Sequence, residues 1–289
     1  MEEAPELSWL IFAILLDFGF VQICKFSQRR GYYAPAVVST NYLVLSAVLA
    51  TYLLATDRFT FSAAALQTGL ITGAVFIGSM SLMMRVLEIA SVGAVLTAFR
   101  MSIAVPVALG IWLWQEPVVP SQFGGILLAF PALVLMTSGA GSNVRATGRR
   151  TFGLLISVFL AQGMSHSCLR SVHYAGLDGE FVQILTVMGA TAGTIGYIFI
   201  AGRLRRPERS ELVTGIGLGT YNALALSVIM LTLSRIPGTL FFPATGCSVI
   251  LLDNLSAHFL WKERLSRAAA AGVALAVLAV ALVLCTGSR

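Results

Sequence analysis

Six ionisable residues stand inside long apolar runs of this sequence: Asp17, Arg100, His166, Arg170, Asp253 and His258. Arg100 lies near the middle of a run from Val92 to Pro117. At about 1.5 Å per residue, a hydrocarbon layer of about 30 Å needs roughly twenty apolar residues, and this run supplies them. A guanidinium at the centre of such a helix costs about 3 kcal/mol on insertion scales, so it must face a protein interior or a wet cavity. Asp17 lies at similar depth in its own run. Together the two suit a polar solute, the arginine gripping a carboxylate or phosphate oxygen and the aspartate taking an amine or a proton. Two buried charges that satisfy only one another have the same composition.

His166 has Gln162 one turn before it and Arg170 one turn after, a polar stripe on one face of an apolar helix. Such a histidine serves either as a proton switch or as a packing residue. Asp253, followed by Asn254, is placed to take up and release protons, or to pair with Lys262 or Arg264. Asn41 and Tyr42, and again Tyr221 and Asn222, bring neutral hydrogen-bonding groups to mid-depth, where they would orient a ligand or join helices. The substrate-binding candidates are thus Asp17, Asn41, Tyr42, Arg100, His166, Arg170, Tyr221 and Asn222. The proton-coupling candidates are Asp17, His166 and Asp253.

Other chemistries find no support in the sequence. Three scattered histidines give no metal site, and Cys24, Cys168, Cys247 and Cys285 show no C-x-x-C spacing, so no metal or cofactor is expected. Ser165, His166 and Ser167 are adjacent on a helix and point apart, which defeats a nucleophile and base arrangement. The expectation is a protein that is not an enzyme.

The elements that must position these residues are membrane helices. The chain is 57% hydrophobic and only 11% charged, too apolar for a soluble domain. Ten apolar spans are expected: 7–27, 33–55, 62–84, 90–114, 119–139, 151–174, 181–201, 211–233, 239–261 and 267–286. The acidic start and Asp17 make the first of these a membrane helix, with no signal peptide. Shifting Glu116 onto Glu263 also lays Leu113-Trp114 on Leu260-Trp261 and Gly125 on Gly272. Two related halves follow, 1–140 and 151–289, joined by a loop at 141–150. Five spans per half make the second copy enter from the opposite face, so the fold class is an all-α polytopic membrane protein of two inverted five-helix repeats.

Fourteen Lys and Arg fall in the loops after odd-numbered spans, against Arg58, Arg235 and Arg289 on the other side. The positive-inside rule then leaves both termini outside. Gly69 and Gly73, Gly189 and Gly193, and Gly215 and Gly219 form G-x-x-x-G pairs, read first as close helix contacts within one chain. Pro106, Pro131 and Pro243 each free a carbonyl and favour a kink. The Trp-x-Glu turns place Glu116 and Glu263 to cap the helix that follows.

These features resemble the drug/metabolite transporter superfamily, in its ten-helix EamA-type branch. The resemblance rests on the ten-span layout and on Pro106, Leu113, Glu116 and Gly125 in the first copy, with Leu260, Glu263, Leu265 and Gly272 in the second. Gln115 and Lys262 replace the glycine usual before the turn glutamate, and Asp253 aligns with Pro106. The resemblance implies both termini in the cytoplasm, opposite to the charge bias. It also implies alternating access through a central cavity of a bacterial inner-membrane protein, and it carries over no specific residue. The expected function is secondary active transport of a small zwitterionic or anionic, amino-acid-like metabolite, with proton coupling as a hypothesis. A flippase for an anionic lipid headgroup and an exporter of cationic amphiphiles are the alternatives. Expected partners are the solute and the bilayer, with the protein a monomer or homodimer.

Overall fold

The computed structural model describes residues 3–87, 92–137, 149–202, 205–259 and 267–284. Most of the 141–150 loop, together with Trp261, Lys262, Glu263 and Arg264, lies outside these. The described residues form helices and no strands: α1 (Glu3–Arg29), α2 (Ala34–Ala55), α3 (Ala63–Leu87), α4 (Val92–Met101), α5 (Ala104–Trp112), α6 (Pro120–Thr137), α7 (Arg149–Tyr174), α8 (Phe181–Gly202), α9 (Arg209–Leu233), α10 (Gly238–Phe259) and α11 (Arg267–Leu284). Seven are long and apolar enough to cross a membrane: α1, α2, α3, α7, α8, α9 and α10. The run expected as one span at 90–114 is two helices, α4 and α5.

Packing divides the chain into two compact units. Residues 1–18, 82–167 and 235–289 form unit one, and residues 19–81 and 168–234 form unit two. Each unit takes segments from both halves of the sequence, so the division by packing cuts across the division by repeat.

In unit two, α2 packs against both α8 and α9. Glycines set these contacts, because removing the Cβ lets two backbones approach without loss of dispersion contact. A methyl on Gly219 of α9 would stand 2.5 Å from the Asn41 carbonyl of α2, and one on Gly215 would stand 2.5 Å from Thr40 Cβ. On α3, Gly69 and Gly73 abut Ile184, Val187, Met188 and Thr191 of α8 in the same manner. The neighbours of the two glycine pairs correspond one to one. Val37 matches Ile184, Thr40 matches Val187, Asn41 matches Met188 and Val44 matches Thr191, each under the shift that carries Glu116 onto Glu263. Gly189 meets the Tyr42 carbonyl, its own counterpart under that shift. All three G-x-x-x-G motifs are therefore used between helices of one chain.

Glutamates complete two helix starts in unit two, Glu211 buried and Glu180 half-buried. Glu211 is 1% exposed. Its carboxylate accepts the Tyr33 N–H at the start of α2 (2.8 Å), the Glu208 N–H (2.9 Å) and Arg205 Nη2 (3.0 Å). The Arg205 guanidinium lies 4.1 Å over the Tyr33 ring. At the other end of α2, Glu180 accepts the Ser62 N–H at the start of α3 (3.3 Å). Helix starts leave unpaired N–H groups and a positive dipole end, and a carboxylate answers both.

Unit one uses the same device. α6 packs along α11, and α10 packs against α5, α6 and α11. Val86, Val95 and Val158 form a buried cluster. Glu116, 6% exposed, accepts the N–H groups of Gly238 (3.1 Å) and Thr239 (2.7 Å) at the start of α10. The sequence expectation looked only to the helix following Glu116; the carboxylate reaches a helix more than a hundred residues away. The preceding Gln115 holds φ at +52°, a left-handed conformation that glycine adopts without penalty.

Two measurements follow from this turn. Removing the carboxylate in Glu116→Ala orphans two N–H groups, so the thermal midpoint in detergent should fall by an amount equivalent to about 2–3 kcal/mol. At position 115 the midpoints should rank glycine above glutamine above valine. Glycine should gain up to about 1 kcal/mol, because relief of the left-handed strain outweighs the lost hydrogen bond from Gln115 Nε2 to the Trp112 carbonyl (2.8 Å).

Candidate functional site

Proline carries no N–H, and its ring crowds the carbonyl four residues earlier. For Pro106 that carbonyl belongs to Ser102, and there the helix breaks. The Ser102 carbonyl accepts instead from the Val105 N–H (3.0 Å), while Ser102 Oγ donates to the Phe99 carbonyl (2.6 Å). Arg100 consequently sits in the last turn of α4, where outward-facing carbonyls favour a cation.

The Arg100 guanidinium is half-buried and lies 5.9 Å from the Phe99 ring. Three sequence candidates, Asp17 of α1, Arg100 and His166 of α7, belong to unit one, and the Arg100 charge is felt at the other two. Asp17 is half-buried too. His166 Nε2 lies 3.2 Å from Gln162 Nε2, and its ring centroid lies 5.7 Å from that of Phe242 on α10. Gly163, between Gln162 and His166 in sequence, lets α7 close on Ser102 and Val105 at the break. The arrangement offers a cation, an anion and an imidazole with an amide and an aromatic face. Those are the groups that hold a small charged solute by hydrogen bonds and stacking. Asp253, also in unit one, is half-buried on α10; its backbone carbonyl accepts Ser256 Oγ (2.9 Å), and Asn254 Nδ2 donates to the Ile250 carbonyl (2.9 Å).

The remaining candidates belong to unit two. Arg170 is 3% exposed and donates to the carbonyl of Leu233, the last residue of α9, and to the Tyr174 hydroxyl (3.3 Å). It thereby caps a helix end. Asn222 Nδ2 donates to Asn41 Oδ1 (3.1 Å), a buried amide pair tying α9 to α2. Tyr42 sets its ring edge-on to Phe76 at 6.4 Å, and Tyr221 fills the space left by the missing side chain of Gly19. In this unit the polar pairs join helices. A surface depression of about 640 Å³ at the start of α9 is lined by Tyr32, Glu208, Arg209, Ser210, Val213 and Thr214, none of them a candidate.

Sequence reasoning missed the helix break and the part played by Phe242. Pro106 signalled a kink, but not that Arg100 would end a helix. Phe242 carried no signal, since an aromatic residue in an apolar run is ordinary.

No family model matches the sequence. A Haemophilus influenzae protein described as an uncharacterized protein is 23% identical over 272 residues, covering 89% of this chain and 91% of its own. A solved crystal structure of a protein 17% identical superposes with a TM-score of 0.78 over 98% of this chain and 97% of that one. At that identity the likeness speaks for the fold alone. The chain is a helical membrane protein, and its fold over nearly its whole length is similar to one already seen in a crystal.

Proposed function

We propose that the protein is a secondary active transporter for a small zwitterionic or anionic, amino-acid-like metabolite, working by alternating access. The observation that carries this reading is the broken helix: α4 ends in a half-buried arginine that acts on an aspartate and a histidine from two other helices. Discontinuous helices whose ends hold charge inside the membrane are the usual construction of solute sites in such proteins, and charges of this kind mark pathways. The matched glycine contacts of α3 on α8 and α9 on α2 support two inverted five-helix repeats, with α4 and α5 together forming the fourth of ten spans. The resemblance to the drug/metabolite transporter superfamily belongs to the same proposal. So do the bacterial inner membrane as the location and the outward termini that the loop charges suggest.

In this mechanism Arg100 binds the solute carboxylate and Asp17 its ammonium group, each replacing the other as partner when solute enters. The exchange keeps both charges compensated in a low dielectric. Proton coupling would use Asp17, His166 or Asp253.

A thermal-stability screen of the detergent-purified protein against amino acids, organic acids, sugar phosphates, nucleotides and quaternary amines tests the reading. An acidic or zwitterionic class should raise the midpoint, by about 2.7 kcal/mol of stabilisation at a hundred times Kd. The effect should vanish in folded Arg100→Ala. Stabilisation by cationic amines that survives loss of Arg100 would reverse the solute polarity, and no response to any soluble class would sink the metabolite reading. Uptake into proteoliposomes should respond to an imposed proton gradient in the wild type and lose that response in Asp17→Asn. An unchanged response would remove Asp17 from coupling.

A further inference from the structure

Hydroxyls within the helices of unit one close back on the carbonyl three or four residues earlier. Ser165 bonds to Ala161, Ser167 to Gly163 and Ser256 to Asp253. Where no water reaches, that is the default for a serine or threonine on a helix. Thr245 of α10 departs from it. It is 6% exposed, and among the described residues its Oγ1 has neither solvent nor a hydrogen-bond partner.

The position of this hydroxyl relates it to the broken helix. Phe242, three residues earlier, faces His166, and at Gly246, the next residue, a methyl would meet Ile103 of the α4–α5 break at 3.1 Å. Thr245 thus lies on the turn of α10 between these two contacts. A hydroxyl held dry and unpaired here is a cost to the empty protein, and a bound group can complete it.

We infer that Thr245 is a specificity-determining contact for the solute, and that the solute is a small α-amino acid bearing a side-chain hydroxyl or amide. This rests on the transport reading above. Arg100 and Asp17 match the carboxylate and ammonium that every amino acid carries, so the third polar group reads what differs between them. An apolar side chain of the same shape leaves Thr245 as unpaired as before. A site with a polar group to satisfy rejects the analogue that cannot satisfy it.

The test uses the full-length protein in detergent and two pairs of near-isosteric probes, L-serine with L-alanine and L-asparagine with L-leucine, with Kd taken from thermal-shift titrations. In the wild type the polar member of each pair should bind about tenfold tighter or more. In Thr245→Val the preference should shrink to within about twofold, and in Thr245→Ser it should return. The unliganded midpoint of Thr245→Val should not fall, since the valine removes only an unpaired hydroxyl; a purely structural threonine would lower the midpoint and leave the preference intact. Equal affinities within each pair in the wild type, or a preference that survives Thr245→Val, overturn the inference while leaving the transport reading in place. Binding of none of the four probes overturns the amino-acid solute itself. Should Thr245→Val misfold, Thr245→Ala carries the same comparison.

Discussion

A backbone N–H at the start of a helix has no partner in its own helix, and within or beside a bilayer it has little water to turn to. The glutamates at 116, 180 and 211 answer that constraint. Each belongs to one segment and accepts the opening amides of a helix far away in sequence. A carboxylate in that place also meets the positive end of the helix dipole, so one side chain satisfies hydrogen bonding and charge together. What looks like an expensive buried acid is the group that fixes where helices begin.

The break between α4 and α5 is the opposite case, a place where the ladder is left open. Pro106 removes one donor, and the chain shortens its hydrogen bonds by a residue without restoring the run. Arg100 stands at the resulting helix end, in the last turn of α4, and its charge is felt at Asp17 and His166. In unit one the completed start of α10 and the interrupted run at α4–α5 stand together, with Arg100 at the interruption.

Much of this was legible in the residues. Apolar length located the seven long helices but not the break between α4 and α5, and the G-x-x-x-G pairs announced close contacts because glycine has few other uses in such runs. Asp17, Arg100 and His166 stood out as ionisable groups in hydrocarbon, and all three fall in unit one. Arg170 stood out likewise, and Asn41 and Asn222 as neutral polar groups in apolar runs, yet they cap a helix and pair across helices. A polar side chain in an apolar run declares that it has a partner without saying whether that partner is protein. Nor could the sequence show which amides Glu116 reaches, since its partners are distant and its neighbours in the chain would have served equally well.

The long-range caps also bear on how the protein is made. The Tyr33 amide that opens α2 is completed by a carboxylate 178 positions later, and the Ser62 amide near the start of α3 by one 118 positions later. When α2 and α3 leave the ribosome, those acids have yet to be synthesised. The earliest helices therefore enter the membrane with their first turns unfinished and acquire them only when α8 and α9 arrive. α10 is in the reverse situation, since Glu116 is already in place when its first turn emerges. If the two halves descend from one ancestral copy, each now completes helix starts of the other, and a truncated first half lacks the carboxylates that finish the starts of α2 and α3.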